Sequence, residues 1–374
     1  MNSFTSKILE TCNLGIGPIS CHSWNADRTQ LAVSASSIIY IYSIRIKKGQ
    51  NSIDYELLHT LSEHDLAITG LDWAPKTNRI VSCSQDKNAF VWTYDKNTNT
   101  WKPELVLVRI NRAATCIKWA PLENKFAVGS GAKVVSVCYY EKENDWWVSK
   151  QLKKPIKSTV NCITWHPNNC LIGVGACDFK ARVFSAYIKE VDDKPSPTSW
   201  GNKMPFGQLM AEYNVSSWIL DIAFSPCGSR IAWVAHNANV SVVDSESNIN
   251  KINQLKLKTL PLCSIEWIRE DKIVGAGYDY VPMIFKVTDD GVPSFQGKAD
   301  DSSLSTKSQE SEGVFNAFQK FQNIDRKGTE VVNVKAASAH QNAIRQIVPY
   351  SGKCGGYTEY TTCGSDGLVC LWTA

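Results

Sequence analysis

Hydrophobic and polar residues alternate along this chain in short runs, and each run is closed by a turn signal. Alternation with a period of two marks a strand with one buried face. The clearest stretch lies within 64–92. There Ile68-Thr69-Gly70-Leu71-Asp72-Trp73 runs into Ala74-Pro75, then Arg79-Ile80-Val81-Ser82-Cys83-Ser84 into Gln85-Asp86, then Ala89-Phe90-Val91-Trp92. The same phrase returns seven times. The residue closing its first run recurs as Trp24, Trp73, Trp119, Trp165, Phe224, Trp267 and Val348, at gaps of 49, 46, 46, 59, 43 and 81 residues. Four gaps are nearly equal, so 59 and 81 mark insertions.

A second marker fixes the register. A turn Asp and the aromatic closing the third run stand six apart in Asp86 and Trp92, Asp178 and Phe184, Asp279 and Phe285, and Asp366 and Trp372. Asn237 with Val243, and Ala132 with Cys138, keep the spacing with changed residues. A period of about 40–45 residues with strands ending in Trp after an Asp turn is the pattern of a WD-repeat blade. The predicted fold is all-β: a single seven-bladed WD-repeat β-propeller over 1–374. Each repeat supplies an outer strand first, then inner, middle and third strands. The seventh copy reaches Trp372 with only Thr373 and Ala374 after it. The run Phe4-Thr5-Ser6-Lys7-Ile8-Leu9-Glu10 is the expected donor of its outer strand. That pairing closes the ring and removes an exposed sheet edge.

Two copies carry a full polar tetrad: His64, Ser82, Asp86 and Trp92, and His340, Thr362, Asp366 and Trp372. A hydroxyl, an imidazole and a carboxylate suggest a hydrolase triad. The set occurs twice, each time in phase with the repeat, which favours a structural network instead. In that network Asp accepts from His, while Ser or Thr and the indole N–H complete the bonds. No catalytic residue is assigned, and no titratable cluster outside the repeat phase is legible for the central channel.

Composition adds boundaries. Thirteen tryptophans and 43% hydrophobic residues supply ample core. No apolar run reaches the roughly 18 residues of a membrane-spanning helix, and 1–18 lacks a basic-then-apolar leader. The thirteen cysteines include no Cys-x-x-Cys pair. Cys116, Cys138, Cys162, Cys263 and Cys370 fall within predicted strands, so the thiols are expected free and mostly buried, in a reducing cytosol. Zinc-like spacing is missing, and no metal or cofactor is expected. Gly129-Ser130-Gly131-Ala132-Lys133 lacks the phosphate-loop spacing and reads as a turn. A net charge of +4 and a pI near 8.3 do not imply nucleic acid. The positive charge is uneven: Lys150, Lys153, Lys154 and Lys157 cluster, with Arg109, Arg112 and Lys118 upstream. Two readings stand, a solvated strand edge or a surface for an acidic partner.

Two insertions interrupt the repeat. The first, 187–213, joins blades four and five and is rich in Pro and polar residues. Trp200, Met204 and Phe206 anchor it either to the propeller or to a partner. The second, 296–339, follows blade six. It starts polar and Ser-rich, a composition that favours a mobile tether, and then reads Val314-Phe315-Asn316-Ala317-Phe318-Gln319-Lys320-Phe321-Gln322-Asn323-Ile324. Val314, Phe318 and Phe321 stand at i, i+4 and i+7, which predicts a short amphipathic helix at about 312–325. Phe315, Phe318 and Phe321 make it a candidate arm for a partner; packing back on its own propeller is the other reading.

Here the chain becomes recognisable. Arg109-Ile110-Asn111-Arg112-Ala113-Ala114-Thr115, Lys118-Trp119-Ala120-Pro121-Leu122-Glu123-Asn124-Lys125-Phe126-Ala127-Val128-Gly129-Ser130-Gly131, and Glu143-Asn144-Asp145-Trp146-Trp147-Val148-Ser149-Lys150 closely resemble the subunit 1 family of the actin-related protein 2/3 complex. So do Trp165-His166-Pro167-Asn168-Asn169, Cys177-Asp178-Phe179-Lys180, the run from Val183 to Asp192, and Met204-Pro205-Phe206-Gly207-Gln208-Leu209-Met210. The likeness spans the whole chain and is densest over 109–210. It implies a non-catalytic scaffold in a seven-subunit complex that nucleates branched actin filaments in the cytoplasm, at the actin-rich cortex. It further implies contacts with actin-related proteins and other companion subunits, with acidic nucleation-promoting factors, and with the mother filament through the arm. ATP would bind the actin-related subunits. Two other classes remain open: a propeller scaffold of another cytosolic assembly, such as a vesicle coat or ubiquitin ligase, and an enzyme built on a propeller.

Overall fold

The computed structural model describes residues 6–46, 53–299 and 338–374. Seven four-stranded antiparallel sheets form a propeller. Blade two shows the plan, with Ile68–Trp73 innermost, then Arg79–Ser84, Ala89–Asp95 and Thr100–Val106 outward. The inner and middle strands are rich in Val, Ile, Ala and Gly, which pack on both faces of a buried sheet.

In three blades the Trp that closes the inner strand stitches neighbouring blades. The Trp165 indole donates to the Lys118 carbonyl at 3.1 Å, and that of Trp267 donates to the Ala223 carbonyl at 3.1 Å. The other end of the inner strand carries a bulge at the same place in six blades, opposite Thr69, Thr115, Asn161, Leu220, Cys263 and Arg345. A bulge re-aims the extra side chain. Here Thr69 donates to Ala114 O at 2.9 Å, Thr115 to Val160 O at 2.6 Å and Asn161 to Ile219 O at 2.8 Å, each in the next blade.

The ring closes as expected. Ile8–Asn13 pairs antiparallel with Leu368–Thr373 and becomes the outer strand of blade seven. It lies further along the chain than the run 4–10, because Glu10, Cys12 and Leu14 alternate inward and set the register.

Two boundaries move. Leu209–Asn214 is the outer strand of blade four, so 209–213 belongs to the sheet and not to the first insertion. Pro293–Lys298 is likewise the outer strand of blade six, so 296–298 leaves the second insertion. Both strands carry few buried residues, which hides their alternation in the sequence. The arm helix at about 312–325, with Phe315, Phe318 and Phe321, lies outside the described residues. Among the described residues the one helix is Ser245–Asn248, capped by Asp244.

The first insertion packs on its own propeller. Trp200 and Met204 are buried with Phe224 and Trp233 between blades four and five, and the Trp200 indole donates to Gly228 O at 2.8 Å. Phe206 is partly buried against the cluster of blades three and four.

Candidate functional site

Each tetrad residue sits where the repeat places it. His64 Nδ1 is 2.9 Å from Asp86, Nε2 is 2.8 Å from the Ser82 hydroxyl, and the Trp92 indole donates to that hydroxyl at 2.9 Å. In blade seven His340 Nδ1 is 3.0 Å from Asp366, Nε2 is 2.8 Å from Thr362, and Trp372 donates to Thr362 at 2.8 Å. With Asp accepting the Nδ1 proton, Nε2 accepts from the hydroxyl. Ser82 and Thr362 have no exposed surface, so no substrate reaches either hydroxyl.

Burial pushes Asp86 and Asp366 upward, yet the histidines and backbone amides that donate to them hold both below the ordinary carboxylate range. Burial lowers His64, and Asp86 offsets only part of that. All three folded values are therefore depressed. Their stabilisation is present above the unfolded values and is lost as pH falls through the folded ones, starting near 6.5 for the histidine. Asp86→Ala and Asp366→Ala are each expected to cost about 1–3 kcal/mol at neutral pH, the cost of orphaning a buried partner. The difference from the parent shrinks on acidification. Denaturant unfolding across pH checks both statements.

Blade four replaces the tetrad with an arginine. Fully buried Arg182 donates to Asp178 at 2.8 and 3.0 Å and through Nε to Glu212 at 2.8 Å. Asp178 also accepts from the Lys157 amide at 2.9 Å. Sequence reading found Asp178 by its spacing but missed Arg182, because Arg four residues after the turn Asp looks like an exposed strand position.

The basic residues fall on one face. Arg109 and Arg112 lie between Thr100–Val106 and Ala114–Trp119; Lys153, Lys154 and Lys157 lie in the matching connection of the next blade. All five are exposed. Gly131 joins the two connections: a Cβ there would sit 3.4 Å from Arg112 and 3.9 Å from Thr159. Lys150 behaves differently. It pairs with Glu190 of the insertion at 3.1 Å and lies 5.3 Å over the Tyr139 ring. Lys118 also leaves the group and lines the central channel.

That channel, of about 370 Å³, gathers Lys118, Asp221 and Glu266 with Arg345 and Gln346. Lys118 and Glu266 directly precede Trp119 and Trp267, so both are in repeat phase; in the sequence Lys118 reads as one of the basic cluster, and Glu266 passes unnoticed. Asp221 follows the bulge of its inner strand, in the register of Gly70, Cys116, Cys162 and Ser264, so it too is in repeat phase. It accepts from the Ile265 amide and the Ser264 hydroxyl at 2.9 Å each. Asp72, in the same phase as Lys118, accepts from the Trp119 amide at 2.8 Å. Burial raises Glu266 to about 7, with Lys118 opposing. Asp221 and Asp72 thus tie neighbouring inner strands to one another.

The most demanding arrangement sits under the insertion. Lys125, with no exposed surface, donates to Ala186 O at 3.0 Å and pairs with Asp192. Asp192 also accepts from Asn169 at 2.8 Å, Asn124 at 3.1 Å and the Ile188 amide at 2.8 Å. The Lys125 ammonium stands 5.3 Å over the Trp165 ring. Burial depresses its pKa, and Asp192 opposes that. Lys125, Asn169 and Asp192, which lie in three separate runs of the sequence, are thus parts of one clamp.

The geometry defines a class of protein: a WD-repeat propeller whose loops and insertion form surfaces. The family model described as "WD domain, G-beta repeat" matches residues 55–93 and 149–185. The chain is 49% identical over 360 residues to actin-related protein 2/3 complex subunit 1A-A of Xenopus laevis, covering 95% of this chain and 94% of the relative. It is 41% identical to subunit 1 of the same complex from Schizosaccharomyces pombe, over 94% and 96% of the two chains. With the Saccharomyces cerevisiae subunit 1 it shares 38% identity over 100% and 99%. The chain belongs to the family of actin-related protein 2/3 complex subunit 1. No helix among the described residues is long and apolar enough to cross a membrane.

Proposed function

We propose that the chain is a non-catalytic scaffold subunit of an actin-related protein 2/3 complex and supports the nucleation of branched actin filaments. The likeness to relatives named for that complex carries this reading, because it runs along nearly the full length of both chains. The partners are actin-related proteins and the other subunits, the actin filament, and acidic nucleation-promoting factors. The setting is the cytoplasm, at the actin-rich cortex. Arg109, Arg112, Lys153, Lys154 and Lys157 receive acidic tails, since five exposed cations on adjoining connections attract anionic segments. Lys150 serves the insertion. Phe315, Phe318 and Phe321 meet the mother filament.

Affinity capture of the tagged chain from cytosol is the test. Actin-related proteins are expected to co-purify. Coat or ubiquitin-ligase subunits in their place would mark a scaffold of another assembly. In the captured complex, reversal of the five cations is expected to weaken acidic-tail binding, less so as salt rises and screening shortens to roughly 8 Å. Deleting 310–326 is expected to leave assembly intact and lower branch formation, with Phe318→Ala reproducing much of the loss, as truncating an aromatic hot spot costs at least about 2 kcal/mol. Normal branching by the deletion variant removes the arm from filament contact.

A further inference from the structure

Blade seven departs from the other blades at its first hairpin. Its inner strand, Ile344–Lys353, has ten residues where those of blades two to five have six, and it turns back through Gly356–Gly364. The extra length reaches past blade six. Tyr350 meets Trp24 of blade one edge to face at 4.9 Å. At the tip, a side chain on Gly355 would come within 3.4 Å of Pro226 in blade five. Channel-lining Glu266 acts electrostatically on both Cys354 and Tyr357 of this hairpin. The tip therefore bridges blades five and seven beside one mouth of the channel.

The contact sets two cysteines on the adjoining turns. Cys354 precedes Gly355, and Cys227 follows Pro226. Among the thirteen cysteines, these two are the exposed ones; the others are buried or partly buried, and none is bonded. Glu270, from the neighbouring turn of blade six, addresses both. Its Oε2 lies 3.2 Å from Cys227 Sγ, and its charge acts on Cys354. The Cys227 sulfur also accepts from the Ser229 amide at 3.4 Å and lies 3.0 Å from the Ser229 hydroxyl. Gly352 and Gly355, at φ +101° and +85°, give the tip the backbone freedom that a disulfide's strict geometry requires.

We propose that Cys227 and Cys354 are a peroxide-responsive pair that forms a disulfide, fastening the blade-seven hairpin to blade five across blade six. The Cys227 thiol donates a hydrogen bond to the Glu270 carboxylate, which takes up the proton as the sulfur attacks. The thiolate attacks one oxygen of hydrogen peroxide, the O–O bond breaks, and the departing hydroxide leaves as water after protonation. Cys227 is then a sulfenic acid. The Cys354 sulfur attacks the Cys227 sulfur, the S–O bond breaks, and the hydroxide leaves with the Cys354 proton as a second water. Two thiols and one peroxide give one disulfide and two waters.

The test is oxidation of the full-length chain with dilute hydrogen peroxide, followed by intact mass and non-reducing peptide mapping. The expected product has lost two hydrogens, contains a linked Cys227–Cys354 peptide, and reverts with dithiothreitol. Cys227→Ser and Cys354→Ser each abolish the link, and in Cys354→Ser the Cys227 sulfenic acid accumulates and is trapped by dimedone. Glu270→Gln slows Cys227 oxidation several-fold. Protection of the buried thiols from alkylation in each variant shows that the fold is retained. The proposal is overturned if Cys227 in the parent proceeds to sulfinic acid while Cys354 stays a thiol, if the link joins other cysteines, or if neither residue reacts faster than the buried set.

Discussion

Lys125→Ala is expected to destabilise the propeller by about 3–5 kcal/mol, the usual cost of stripping one partner from a buried ion pair. Asp192 would keep its charge with Asn169, Asn124 and the Ile188 amide around it, but without the cation that balances it. Asp192→Ala is expected to cost as much, since it leaves an ammonium buried under the insertion. The double variant Lys125→Met with Asp192→Leu is expected to recover a large part, because apolar groups of similar volume need no desolvated charge. Denaturant unfolding gives the magnitudes. Limited proteolysis adds location: new cuts are expected first within 187–208. Equal losses for the single and double variants would mean that the clamp acts through packing and not through charge.

The second large effect is expected in blade four. Arg182→Ala leaves Asp178 with only the Lys157 amide, and Glu212 with Lys180. About 3–5 kcal/mol should be lost on the same reasoning. Arg182→Lys should recover little, since an ammonium cannot bond Asp178 with two nitrogens while donating to Glu212. Thermal unfolding of the two variants decides this. A Lys variant as stable as the parent would reduce the role of Arg182 to its charge.

These two clusters show what a sequence read alone carries. Strand order, blade number and ring closure were legible because alternation and the six-residue Asp-to-aromatic spacing repeat, and a closed ring has few ways to use them. The tetrads were legible for the same reason. Lys125 and Asp192 stand 67 positions apart in a blade and an insertion, and no local pattern joins them. Arg182 and Glu212 face each other across strands whose register depends on a bulge between Val183 and Phe184. Parts of two outer strands, 209–213 and 296–298, were misread as insertion because an outer strand buries little, so its pattern looks like loop. Trp200 and Met204 left two readings open, since an aromatic in a Pro-rich stretch anchors a loop at home or a partner abroad with the same chemistry.

The pairing of Ile8–Asn13 with Leu368–Thr373 has a consequence for biogenesis. Those strands are among the first and last parts of the described chain to leave a ribosome. Until both are out, blade seven lacks its outer strand and blade one lacks a neighbour. Contacts of such long sequence separation form late, because loop closure must precede any gain from them. During synthesis the nascent arc presents its open flank, with apolar inner faces, to solvent. Such an intermediate is prone to aggregate. Protection of that flank during translation is therefore expected to raise the yield of folded chain, whatever the stability of the closed ring.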